Sequence, residues 1–196
     1  MTSKTIYLLR HGQTQFNAEL RLQGHCNSPL TELGELQAKT VGYVLSEYVQ
    51  EPQDWAFYVS PLGRAVQTAE IICQQIGFPV ERLQKDERLK ELGLGDWEQQ
   101  RVPQIKQNQP ELNALADWYT YAPNAETFAS ISERIQDWLQ DPTVPERVII
   151  VSHALSGAVF RGIYANLDYQ ALWSQEMPQD AFFKLEDGKV TKIQCL

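Results

Sequence analysis

Histidine and cysteine are scarce in this chain, three of each among 196 residues. Cys26, Cys73 and Cys195 are too few and odd in number for a disulfide framework, and no CxxC pair suggests a zinc or redox site. A reduced, cytoplasmic setting is therefore expected. Long apolar runs are lacking too. Ile6–Leu9 spans only four residues before Arg10 and His11, so neither a signal-peptide core nor a membrane-spanning segment is legible. Basic residues are in deficit, 17 against 25 acidic, for a formal charge of −8. That balance argues against nucleic acid and membrane surfaces as partners, because both are held by basic patches. There is also no internal repeat, no low-complexity tract and no long Gly/Ser linker.

What is present is the composition of a globular protein, with 43% hydrophobic and 21% charged residues. The length fits one domain over residues 1–196, large enough to bury a core without staples. The charge deficit is uneven. Residues 1–30 hold Lys4, Arg10 and Arg21 against Glu19 alone, a small cationic enclave in an acidic chain.

Hydrophobic patterning alternates between strand and helix. Thr5–Leu9 and Trp55–Val59 read as strands, and the continuous β-branched run Arg147–Val151 reads as a central buried one. Val80–Leu83 is expected to form a short third strand. Thr31 caps a helix whose apolar residues Leu33, Leu36, Val41, Val44, Leu45 and Tyr48 recur at helical spacing. A second helix carries Ala65, Ala69, Ile72 and Ile76. Thr127 caps a third, with Phe128, Ile131, Ile135 and Trp138, and Leu155, Val159 and Ile163 mark a fourth. Phe182–Leu185 and Val190–Ile193 form a hairpin around an Asp-Gly turn. Residues 96–127, punctuated by Pro103, Pro110 and Pro123, are irregular and rich in Trp and Tyr. The expected fold is a three-layer α/β/α arrangement with a mainly parallel central sheet, helices on both faces, and residues 96–127 as a cap-like insertion.

The chemistry gathers at the carboxyl ends of the strands, the edge where open α/β sheets bind ligands. The first strand ends in Arg10-His11-Gly12, the second in Ser60-Pro61-Leu62-Gly63-Arg64, and the last in Ser152-His153. Two of the three histidines thus stand at one edge with two arginines, beside helix N-termini that favour anions. A phosphate group is the expected guest, since the guanidinium fork matches its oxygens. No HExxH motif or convergent carboxylate set accompanies these residues, so no metal is expected. His25, in a loop beside Cys26, is more simply a structural residue than a substrate contact.

These residues resemble the histidine phosphatase superfamily, the phosphoglycerate-mutase-like proteins. Leu9-Arg10-His11-Gly12-Gln13-Thr14 with Asn17 is similar to its RHG signature. Arg21-Leu22-Gln23-Gly24 and Ser28-Pro29-Leu30-Thr31 are similar to the segment that follows. Ser60-Pro61-Leu62-Gly63-Arg64-Ala65, Leu89-Lys90-Glu91 with Gly95-Asp96-Trp97-Glu98, and Val151-Ser152-His153 complete an ordered set of motifs. Two positions depart from the pattern: Ala154 and Gln99 stand where glycine is usual.

The resemblance implies a phosphomonoesterase that uses no cofactor and acts on a small phosphorylated metabolite. His11 would be the nucleophile, with Arg10, Arg64 and His153 holding the phosphoryl oxygens. Asn17, Arg21, Gln23 and Gly24 would contact substrate. Motif position favours Glu91 as general acid and base, while composition alone leaves Glu87, Asp86 and Glu98 open. Trp97, Trp118, Tyr119 and Tyr121 are candidates either for a pocket wall or for packing. Two alternatives remain: phosphoryl transfer of the mutase type, and a non-catalytic phosphate-binding module. The first is disfavoured because the glycolytic mutases carry an expanded basic insert, whereas residues 96–127 hold only Arg101 and Lys106 as cations.

Overall fold

A computed structural model describes residues 4–195. In chain order the regular elements are β1 (Thr5–Arg10), α1 (Gln15–Ala18), α2 (Glu32–Ser46), β2 (Ala56–Val59), α3 (Gly63–Ile76), β3 (Gln84–Lys85), α4 (Val102–Asn108), α5 (Phe128–Gln140), β4 (Arg147–Ser152), α6 (Ala154–Tyr164), α7 (Tyr169–Trp173), β5 (Ala181–Glu186) and β6 (Lys189–Gln194). Short 3-10 turns fill several of the connections. The strands form one sheet in the order β3-β2-β4-β1-β5-β6. The first four are parallel, and β5 and β6 add an antiparallel hairpin at the β1 edge.

Strand alternation sorts the apolar residues into two layers. Tyr7, Leu9, Phe57, Val59, Ile149 and Val151 pack with Val41 and Leu45 of α2 and with Ala65, Ala69, Ile72 and Ile76 of α3. Ile6, Leu8, Ala56, Tyr58, Val148 and Ile150 face the other way, onto Ile131, Ile135 and Trp138 of α5 and Leu155, Val159 and Phe160 of α6. This is the expected three-layer α/β architecture. Each fully buried aliphatic or Phe side chain contributes about 1.5–3 kcal/mol, and β4 supplies four in succession, Val148–Val151.

Several local expectations need correction. Val80–Leu83 is not a strand. Val80–Arg82 forms a 3-10 turn in which Arg82 N donates to Pro79 O and Leu83 N to Val80 O, so these donors are spent locally. The third parallel strand is the polar pair Gln84–Lys85 instead, with Tyr58 opposite Gln84. On α2, Leu33 and Leu36 are exposed, at 48% and 57%, and Tyr48, also exposed, lies past the last helical residue, Ser46. The buried face runs through Gly34, Ala38, Val41, Gly42 and Leu45, because Gly42 lets α2 lie close against Ile72 and Gln75 of α3 and Gly34 admits the loop after β1.

Residues 96–127 consist of α4 and 3-10 turns that bury Trp97, Ile105, Leu112, Trp118 and Ala122 over the α5–α6 layer. The terminal hairpin turns at Asp187 and Gly188 with φ of 50° and 73°, as a two-residue turn with both central residues left-handed requires. No helix among the described residues is long and apolar enough to cross a membrane.

Candidate active site

Sheet register brings the three strand ends together. Arg10 lies opposite Ser152, and Val59 opposite Val151. The same spacing continues one residue further, where His11 N donates to Ser152 O (3.1 Å) and Ser60 N to Val151 O (3.0 Å). His11, Ser60 and His153 therefore leave the sheet side by side. Gly12 must be glycine here. A Cβ would stand 2.3 Å from Gly34 O, where the loop after β1 crosses the start of α2.

The His11 ring is buried and fixed from both sides. Nδ1 donates to Gly12 O (2.7 Å), which leaves the lone pair on Nε2, and Nε2 accepts from Arg64 Nε (3.2 Å). Arg64, in the first turn of α3, also donates through Nη1 to Cys26 O (2.7 Å) and through Nη2 to Gly24 O (2.8 Å). It thereby ties the loop after α1 to the nucleophile candidate. His153 packs its ring 5.2 Å from that of His11 and shares a hydrogen bond through Nε2 with Ser60 Oγ (2.7 Å). Arg10 donates through Nη1 to Met177 O.

Two buried nitrogens of this cluster, Arg10 Nε and His153 Nδ1, have no hydrogen-bond partner among the described residues. A buried donor without a partner is costly. Both belong to the buried cluster that surrounds His11.

Electrostatics follow from that crowding. Burial, then the positive charges of Arg64 and Arg10, push His11 well below the ordinary imidazole range, and His153 is lowered by burial, Arg64, His11 and Arg10. Burial also lowers Arg64, to about 10, which leaves it cationic at neutral pH. Both imidazoles are thus held neutral between fixed cations.

Glu91 is buried and lies against the N-terminus of α6. Oε1 accepts from Leu92 N (2.9 Å) and Ser156 N (2.8 Å), and Oε2 from Ala154 N and Leu155 N (3.1 Å each). The carboxylate satisfies N–H groups that the first helical turn leaves unpaired. The other acidic candidates are engaged elsewhere. Glu87 is exposed and paired with Lys90, Asp86 holds Arg88, and Glu98 accepts from His25 N and Leu94 N. Of these four carboxylates, only Glu91 lines the cleft.

The cleft, of about 300 Å³, is lined by Arg10, His11, Arg64 and Glu91 together with Asn17, Arg21, Gln23 and Gly24. Every proposed substrate-contacting residue thus reaches it. Asn17 Oδ1 accepts from Thr14 N, closing the capping box of α1, and Gln23 Oε1 accepts from Ser28 Oγ. Arg21 stands at the rim, bonded to Glu19 and to Gln99 O. His153 instead borders a small void behind Arg10.

The aromatic residues divide. Trp118 and Tyr119 wall the cleft, Trp97 is buried behind Trp118, and Tyr121 is exposed. His25 does not line the cleft; its Nε2 bonds Glu91 O (2.9 Å). The two departures from the glycine pattern are accommodated. Ala154 N serves Glu91, and Gln99 adopts a left-handed φ of 67°.

Sequence reasoning missed several cleft-wall residues, among them Leu20, Leu94, Val102 and Lys106. Lys106 lies 4.9 Å over the Trp118 ring. It also missed Gln179, whose Nε2 donates to His11 O (3.1 Å) and Asn17 Oδ1 (3.3 Å). No local motif marks that glutamine; its partners lie more than 160 residues away in the chain.

The family model of the histidine phosphatase superfamily (branch 1) matches residues 6–189. The chain belongs to this superfamily. Within it, the chain is 35% identical to the probable phosphoglycerate mutase GpmB of Salmonella arizonae over 159 residues, covering 77% of this chain and 70% of that one. Among solved structures it is similar to Bacillus stearothermophilus YhfR, with 30% identity, a TM-score of 0.76, and coverage of 97% and 95%. A mycobacterial glucosyl-3-phosphoglycerate phosphatase complexed with VO3 shares the histidine phosphatase fold at 24% identity, with a TM-score of 0.75 and 98% coverage of both chains.

Proposed function

We propose that this histidine phosphatase is a metal-independent phosphomonoesterase that hydrolyses a small phosphorylated metabolite through a phosphohistidine on His11. The observation that carries this reading is the His11 ring: Gly12 O holds its proton on Nδ1, Nε2 keeps the lone pair, and Arg10, Arg64 and Glu91 line the same cleft. A phosphoryl group seated there meets a neutral nucleophile and donors for its non-bridging oxygens at once.

In the first step the bound ester takes over Arg64 Nε as a donor, which frees the His11 Nε2 lone pair to attack phosphorus in line with the leaving alcohol. The N–P bond forms as the P–O bond to the alcohol breaks, and Glu91, which takes up a proton when the anionic ester binds, gives it to the departing oxygen. Arg10, Arg64 and His153 stabilise the charge on the equatorial oxygens, the task that metal ions share in kinases. In the second step water attacks phosphorus, Glu91 takes the water proton, and the N–P bond breaks to release phosphate and regenerate neutral His11. Gly12 O keeps the His11 proton on Nδ1 throughout, so Nε2 remains the reactive atom. Trp118, Tyr119 and the apolar cleft residues form a cap over the leaving group.

Mutase-type transfer is the second reading, favoured by the name of the Salmonella relative. The two separate in one experiment. A panel of phosphomonoesters, with phosphoglycerates included, is incubated with the protein and chelator while free phosphate and isomerised ester are both measured. Phosphate release that withstands chelator and disappears in His11→Ala is expected. Isomerisation without phosphate release would establish the mutase, and binding without turnover a phosphate-binding module. Loss of activity in chelator with recovery on adding a divalent ion would overturn the metal-free scheme.

A further inference from the structure

We infer that Arg134, paired with Glu126, is a positioning residue that aims the general acid Glu91, an inference that rests on the role proposed for Glu91 above. Glu91 sits in a segment, Lys90–Leu94, that belongs to no helix or strand. Backbone carbonyls in such a segment need partners that a ladder would otherwise supply. Arg134, from the middle of α5, supplies them. Its Nη1 donates to Arg88 O (2.6 Å) and Lys90 O (2.9 Å), and its Nη2 to Glu91 O (3.2 Å). One guanidinium therefore holds three carbonyls on the approach to Glu91 and at Glu91 itself.

Glu126 completes the clamp on the other side. Its carboxylate takes Arg134 Nε (2.8 Å) and Nη2 (2.9 Å), fixing the plane of the fork. Oε2 also accepts from Gly93 N (3.2 Å), and the Glu126 N–H donates to Gly93 O (2.8 Å). Residues 88 to 93 are thus pinned on both sides of the acid. Both side chains of the pair are largely buried, 18% and 14% exposed. Burial pushes the Glu126 carboxyl up, but the Arg134 hydrogen bonds and charge outweigh it and hold Glu126 ionised.

From the opposite direction the Glu91 carboxylate is held by the N–H groups of Leu92 and of the first turn of α6. The acid consequently bridges α5 and α6, and Arg134 sets the backbone end of that bridge. Removing the fork leaves His25 Nε2 as the remaining side-chain donor to Glu91 O. Misplacement of a catalytic group by an ångström can cost about a hundredfold in rate.

General-acid assistance matters in proportion to how poor the leaving group is, and that supplies a test a merely structural role would not meet. Arg134→Gln, Arg134→Lys, Glu126→Gln and Glu91→Gln are compared with wild type on an alkyl phosphate and on dinitrophenyl phosphate, whose leaving group departs without a proton. Circular dichroism checks that each variant is folded. Arg134→Gln is expected to lose about a hundredfold in kcat/KM on the alkyl ester and less than about threefold on the dinitrophenyl ester. Arg134→Lys, which keeps the charge but cannot span three carbonyls, should fall between wild type and Arg134→Gln on the alkyl ester. Should Arg134→Gln fail to fold, Glu126→Gln carries the test, with the same split at smaller size. Equal losses on both esters, or no loss on either, would overturn the positioning role. Glu91→Gln separates the two levels of inference: if it splits the esters while the Arg134 and Glu126 variants do not, only the clamp fails. If Glu91→Gln itself shows no split, the general-acid reading fails with it.

Discussion

A histidine that attacks phosphorus must keep its lone pair, and burial between Arg10 and Arg64 is what holds His11 neutral. The same surroundings act on His153, and the consequence reaches beyond catalysis. Below about pH 6.5 the unfolded chain, with ordinary imidazoles, binds more protons than the folded one, in which both rings resist protonation. Stability from these two residues is fully present above that pH. It falls as the pH drops from there toward the folded-state values, by up to about 1.4 kcal/mol per pH unit for each histidine. Urea unfolding between about pH 7.5 and pH 5.5 should show this decline, and His153→Gln should make it shallower. Stability that is level or rising over that interval would contradict a buried neutral pair.

The elements most legible in the sequence are those whose information is local. The run Arg147–Ser152 announces β4 because a strand covered on both faces is apolar throughout. Once three parallel strands are aligned, the residues following each of them must meet, so Arg10, His11, Arg64 and His153 could be assembled from sequence alone. Less legible were elements that draw their partners from far away. β3 is two polar residues, recognisable only by its pairing with Tyr58 and Val59. The buried face of α2 follows from close approach to α3, which small residues permit and Leu33 and Leu36 would not. Arg134, Glu126 and Gln179 support the site across 33 to 168 residues of separation, with no motif of their own.

The loop at Gln99 is the element where sequence and geometry conflict most openly. Its left-handed backbone suits glycine, yet its carbonyl is needed by Arg21 and its N–H by Leu22 O. Gln99→Gly keeps both bonds and relieves the steric penalty, at the cost of a more flexible unfolded chain. A net gain of up to about 1 kcal/mol is expected in chemical denaturation. A marked loss of stability would show that the glutamine side chain contributes more than its backbone costs.

On the scale of the whole molecule, an acidic protein of net charge −8 gathers Arg10, Arg21, Arg64 and Lys106 around one recess. The cationic enclave near the N-terminus becomes intelligible in the folded chain: it is one wall of a cleft whose other walls come from α3, the α4 region and the start of α6. A recess of about 300 Å³ suits a small molecule carrying one phosphoryl group. Membership of the histidine phosphatase superfamily and the cationic cleft around His11 converge on phosphate-ester chemistry, and the account stands on His11 carrying the phosphoryl group between its two steps. The most direct test is rapid quenching of the protein during turnover of a radiolabelled phosphomonoester, followed by mapping of the label. An acid-labile, base-stable phosphoryl group on His11, absent from His11→Ala, is the predicted result. Full turnover with no label on His11, or with the label on another residue, would contradict it.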